Sequence, residues 1–132
     1  MIKEIRNFVA SWPGFQGIPF PVDVLGPMPG CGAVMPRGEE ILQTVRDIRG
    51  GVALKKRLSV DVLLAQGLDP AEDGWEPHER LLEFARWCRA QDSRITAKGP
   101  FLQSRGDDGV ARYRLELRFE FTEYLEKEHD HV

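Results

Sequence analysis

The chain has 132 residues, 30% of them charged and 42% hydrophobic, with a formal net charge of −3. That length builds one domain around one core and leaves too little for two. The slight negative excess excludes a broad basic surface for nucleic acid or an anionic membrane, and no apolar run nears the roughly 20 residues needed to cross a bilayer.

The first residues, Met1-Ile2-Lys3-Glu4-Ile5-Arg6, lack the apolar core and small-residue cleavage site of a secretion signal. Two cysteines, Cys31 and Cys88, are too few for a disulfide framework, so a reduced, intracellular setting is expected. Ile2, Ile5, Phe8, Val9 and Trp12 recur at helical spacing, which predicts an amphipathic helix over residues 2–12 that stops at Pro13-Gly14. A Gly/Pro-rich connector follows, then a short strand over 22–25. Residues 26–38 carry Pro27, Pro29, Gly30, Gly32, Pro36 and Gly38. They predict a long loop, with a short extended piece at 33–35.

Residues 40–47 and 52–64 predict a β-hairpin closed by Gly50-Gly51, which supply positive φ. In the second strand Leu54, Leu58, Val60, Val62 and Leu64 share one face. Lys56 interrupts that series near the turn, where the strand projects past the core. Residues 67–74 are a polar connector. Pro77 then opens a helix over 78–91, with Leu81, Leu82, Ala85 and Cys88 inward and Glu79, Glu83, Arg86 and Arg89 outward. The chain reads as irregular from 92 to 100, with a short extended piece at 101–103 and a turn at 105–109.

The clearest stretch lies last. Tyr113, Leu115, Leu117, Phe119 and Phe121 alternate with Arg114, Glu116, Arg118 and Glu120. A period of two fits a strand and scatters around a helix. Length, β-formers and freedom from Gly and Pro put it in the middle of its sheet. From residue 123 on, an acidic tail is expected to fray. The fold class is α+β: an antiparallel or mixed sheet with two helices on its apolar face, in a single domain spanning residues 1–132.

Chemical motifs are sparse. Gly30-Cys31-Gly32 begins like a dinucleotide fingerprint, but Met35 stands at the third glycine and Pro36 where a helix should run. Cys31 has no base at motif spacing, and His129-Asp130-His131 is short of the three or four fixed ligands a zinc site needs. Glu39-Glu40 and Asp107-Asp108 read as solvated loop carboxylates, and His78 as a surface residue. No catalytic, cofactor or metal residue is assigned. Trp12 and Trp87 read as packing, whereas Trp75 in the polar connector is a candidate contact for a partner. The charged face of the last strand, with Lys55 and Arg57, has mixed signs and no central aromatics, unlike an RNA-binding sheet.

Three functions are weighed: a structural subunit, a group-transfer enzyme using Cys31 or His78, and an adaptor module using the polar face and Trp75. The first helix with Trp12-Pro13-Gly14-Phe15, then Val22-Asp23-Val24-Leu25-Gly26, the hairpin about Gly50-Gly51 and the closing stretch from Ala111 to Phe121 together resemble the minor capsid and tail-completion (tail-terminator) proteins of long-tailed bacteriophages and prophages. The resemblance implies an α+β subunit of a homo-oligomeric, hexameric ring. Such a ring caps the tail tube in the virion, meets the head connector, and lets DNA pass through its lumen during head–tail joining. A neck or connector protein is the neighbouring alternative. Rings need heterologous contacts, and the interface is expected at Met28, Cys31, Met35 and Arg37 in the long loop, Arg49 at the hairpin tip, and Lys55, Arg57, Trp75, Arg114 and Arg118.

Overall fold

The computed structural model describes residues 1–23, 25, 30–67, 75–106 and 109–125. Helix α1 (Ile2–Ala10) leads through a 3-10 turn (Pro13–Phe15) to strands β1 (Cys31–Arg46) and β2 (Val52–Gly67). Helix α2 (Trp75–Gln91) follows, then β3 (Ile95–Arg105) and β4 (Val110–Leu125). The strands form one sheet in the order β1-β2-β4-β3, every ladder antiparallel. The expected α+β architecture is therefore observed, and the alternating strand is central, flanked on both sides.

Pairing places the apolar side chains together. Leu58, Val60, Val62 and Leu64 lie opposite Phe119, Leu117, Leu115 and Tyr113, and all but Phe119 are buried. Helix α2 covers this face, presenting Leu81, Phe84, Ala85 and Cys88, all buried, and leaving Glu79, Glu83, Arg86 and Arg89 exposed. Helix α1 buries Ile5 and Val9. A run of aromatic rings ties these elements together. Phe20 meets Phe15, Phe15 meets Phe84, Phe84 meets Trp87, Trp87 meets Phe8 and Phe8 meets Phe119, at centroid distances from 4.7 to 6.4 Å. Offset and edge-on pairs of this kind add to the area they bury. Trp12 packs beside the run, 4.7 Å from Phe15.

Helix and strand lengths decide what stays bare. A strand of 16 residues at about 3.3 Å per residue is roughly 50 Å long. A helix of 17 residues at about 1.5 Å per residue spans roughly 25 Å. A helix of that length cannot run along the whole of the long strands. Residues 39–46 and 52–57, with the end of β4, extend beyond the core as a three-stranded arm. Ile41, Val45, Ile48, Tyr124 and Leu125 are exposed there.

Several sequence expectations need correction. Residues 31–38 are not loop; they are the first half of β1. Proline and glycine are accommodated because β1 is an edge strand with a bulge: Pro36 pairs with Val60 and Gly38 with Ser59, leaving Arg37 as the extra residue. The expected strand at 22–25 reduces to one parallel bridge, Val22 to Val34. Asp23, at φ 62°, turns the chain away. Val24 and residues 26–29 lie outside the described residues.

The stretch read as irregular from 92 to 100 is mostly β3, with Gly99-Pro100 at a register shift against β4. Pro100 removes a backbone donor, which an edge strand tolerates at such a shift. Helix α1 ends at Ala10, not 12. Ser11 donates its hydroxyl to the Phe8 carbonyl at 2.6 Å, and Pro13 blocks extension. Helix α2 starts at Trp75, earlier than 78. Asp47 is a turn residue and not a strand end. Its carboxylate accepts the N–H of Arg49 at 2.8 Å and of Gly51 at 2.7 Å, an Asx-type closure of the hairpin. Residues 123–125 belong to β4 and not to a frayed tail; residues 126–132, with His129 and His131, lie outside the described residues.

Candidate functional surface

The sheet face turned away from the helices is the polar one. Strand alternation puts Lys55, Arg57, Ser59 and Asp61 of β2 opposite Thr122, Glu120, Arg118 and Glu116 of β4. Arg57 donates to Glu120 at 3.1 Å, and Arg118 donates to Glu116 at 3.1 Å. Arg114 lies over the Phe101 ring at 5.0 Å, a cation–π contact across the β4–β3 ladder. The mixed charges read from the sequence thus pair largely within the face.

Asp61 is the buried member, only 2% exposed. Its Oδ2 sits 2.6 Å from Arg37 Nε, and its Oδ1 lies 3.7 Å from Arg114 Nη1. Oδ1 is buried with no hydrogen-bond partner among the described residues. An open cleft of about 360 Å³ lies over this pair, lined also by Glu39, Glu40, Ser59 and Glu116. The sequence marked Arg37 and Arg114 as interface residues. It did not mark Asp61. The Arg37 bulge that brings a guanidinium onto that carboxylate has no signal in the pattern.

The remaining expected interface residues do not form one patch. Cys31 and Met35 are half-buried in β1, and Met35 pairs with Asp61. Arg49 is exposed in the turn at the arm tip. Lys55 is exposed on the arm, between Gln43 and Thr122. Met28 and the side chain of Trp75 lie outside the described residues. The arm supplies apolar surface the sequence did not single out. Val45, Ala53 and Tyr124 line up across three strands, beside a shallow cleft of about 270 Å³ at the turn.

On the arm's other face Lys56 bridges Glu123 at 2.5 Å and Glu39 at 3.7 Å. The hydrogen bond to Glu123 holds its ammonium above the ordinary lysine range, with desolvation acting in the opposite direction. This is how a lysine occupies the apolar series of β2: acidic partners from both neighbouring strands meet it. A second apolar cleft, about 360 Å³ and lined by Met1, Glu4, Ile5, Phe8 and Phe119, opens where α1 leaves the sheet. Cys88 is buried in the core, and desolvation pushes its thiol up to about 12. It is not a thiolate near neutral pH. Among the described residues no group of three His, Cys, Asp or Glu is placed to hold a metal ion. No described helix is long and apolar enough to cross a membrane.

No protein-family model matches the chain, and no curated protein matches it.

Proposed function

We propose that the chain is a structural subunit of the tail-terminator kind, assembling as a ring at the head-proximal end of a phage tail tube. The observation that supports this reading best is the arm. Three strands run past the helices and carry Ile41, Val45, Ile48, Tyr124 and Leu125 into solvent. A 17-residue helix does not reach along an arm that long, and exposed apolar side chains grouped on one face, as Val45 and Tyr124 are either side of Ala53, mark contact surfaces. The resemblance of the first helix, the hairpin and the closing strand to tail-completion proteins supplies the kind of assembly. In a ring, the arm of one subunit meets a different surface of the next. The apolar cleft at Met1, Phe8 and Phe119 is the surface best matched to it in character.

The test is assembly. The purified protein, incubated with tail tubes of a phage carrying this gene, is expected to decorate one tube end as a ring visible by negative-stain electron microscopy. Replacing Val45 and Tyr124 by Ser is expected to abolish the decoration while leaving the fold intact by circular dichroism. A wild-type protein that never associates with tubes or connectors, or a doubly substituted one that decorates as well as wild type, would refute the proposal.

A further inference from the structure

The two edges of the sheet are not equivalent. Strand β3 is interrupted by Gly99-Pro100 and a register shift, devices that discourage further pairing. The first half of β1 is covered by residues 19–23. Gly32 N–H donates to the Pro19 carbonyl at 2.9 Å, Val34 N–H to Pro21 at 3.0 Å and Asp23 N–H to Val34 at 3.0 Å. The second half has no such cover among the described residues. Residues 37–50 are all exposed except Leu42. A strand edge left open over this length is a template for another strand.

We propose that the open edge of β1 over residues 39–46 pairs antiparallel with the same edge of a second copy of this chain, across a twofold axis between Leu42 and Gln43. The bulge makes this register possible. Unbroken alternation would place residues of opposite faces across from one another at that axis. Here Leu42 is the extra residue, since Ile41 pairs with Lys56 and Gln43 with Lys55. Glu39, Ile41, Thr44 and Arg46 lie opposite Leu58, Lys56, Leu54 and Val52, all on one face of β2. Glu40 and Val45 lie opposite Arg57 and Ala53, on the other.

Pairing residue 39 with 46, 40 with 45 and 41 with 44 therefore matches faces throughout. It sets Glu39 of each copy against Arg46 of the other, giving two cross-strand ion pairs of opposite sign. Ile41 and Val45, both exposed in the single chain, gain cover. Glu39 is free to turn, because Lys56, 3.7 Å away, is held more closely by Glu123 at 2.5 Å. The contact is isologous and closes at two copies. It describes the free subunit and does not rest on the ring reading.

Sedimentation equilibrium of the full chain is expected to show a monomer–dimer equilibrium. Arg46→Glu is expected to weaken it at least tenfold, and Glu39→Arg combined with Arg46→Glu to restore it. In a Cys31→Ser background, Gln43→Cys lies beside its own twofold copy, so a short bismaleimide is expected to yield a covalent dimer and nothing larger. A head-to-tail contact would leave that single cysteine unlinked. A chain that stays monomeric at every concentration reached, a charge reversal without effect, a reversal the second exchange does not rescue, or a failure of the cysteine to crosslink overturns the inference.

Discussion

Asp61 offers the sharpest test of what holds the polar face. At an effective dielectric of about 20, unit charges at the observed 2.6 Å and 3.7 Å attract by roughly 6 and 4 kcal/mol. Taking the carboxylate out of water costs several kcal/mol and offsets most of that. Arg37 is 57% exposed and Arg114 about a quarter, so both cations reach water if the carboxylate is lost. The carboxylate has no such escape. The two removals should therefore differ. Asp61→Asn is expected to cost about 1 kcal/mol, while Arg37→Ala with Arg114→Ala costs about 3 kcal/mol, because it strands a buried charge. Adding Asp61→Asn to the double variant should then recover about 1 kcal/mol or more. The lost Arg114–Phe101 contact is common to both backgrounds and cancels. Urea unfolding followed by tryptophan fluorescence measures each variant, with Trp12 and Trp87 reporting from the core. A triple variant less stable than the double would refute the argument, since the stranded charge would not then be the cause.

Three further outcomes follow from the same geometry. A Cβ at position 32 would come within 2.3 Å of a Phe20 ring carbon, itself wedged against Phe15; Gly32→Ala is expected to cost about 1–3 kcal/mol by overpacking, and a thermal midpoint equal to wild type would contradict that. With its thiol near 12, native Cys88 exposes about one thiolate in ten thousand at pH 8. Thiol titration with a disulfide reagent should therefore count Cys31 alone in the folded protein and both cysteines in urea. Lys56 has a raised pKa in the folded chain, so its contribution is fully present below the ordinary lysine value of 10.5 and fades as pH climbs through the raised one. Stability of wild type should fall more steeply above pH 10 than that of Lys56→Met, measured by denaturation at successive pH values; identical alkaline slopes would exclude the pairing with Glu123.

The parts legible in the sequence were those with unbroken periodicity. Tyr113 to Phe121 alternates without interruption, and the central place of β4 follows from it. Leu81, Ala85 and Cys88 mark α2 in the same way. What the sequence hid were elements whose pattern is broken where the strand itself is irregular. In β1, Pro36 and Gly38 read as loop residues, yet they flank a bulge on an edge, where a missing donor and a flexible φ cost little. In β3, Gly99-Pro100 did the same. The contacts of Asp61 were hidden for a different reason. An acidic residue on the polar parity of a strand looks solvated, and only the extra residue at Arg37 turns it into a buried partner.

Those irregularities and the arm are physically connected. A bulge at Arg37 and another at Leu42 increase the local twist of β1, and both fall near or beyond the last core pair, Leu58 with Phe119. Past that point the ladder is held in part by ion pairs such as Lys56 with Glu123. The Leu42 bulge also exchanges which parity of β1 faces the helices. It thereby aligns Glu39, Ile41, Thr44 and Arg46 on one side, and that alignment makes the open edge compatible with its own copy. Deleting Leu42 would remove the extra residue and leave Ile41, Gln43 and Thr44 opposite Lys56, Lys55 and Leu54 in plain alternation, with Ile41 and Thr44 still on one face. The arm would stay paired to β2 in a flatter ladder and keep the register that matches Glu39 to Arg46 of a second chain, with the twofold axis now passing through Gln43. A deletion variant that keeps its far-ultraviolet circular dichroism and still dimerises is the expected result, and one that sediments as a monomer would show that matching faces and charges are not what joins the two edges.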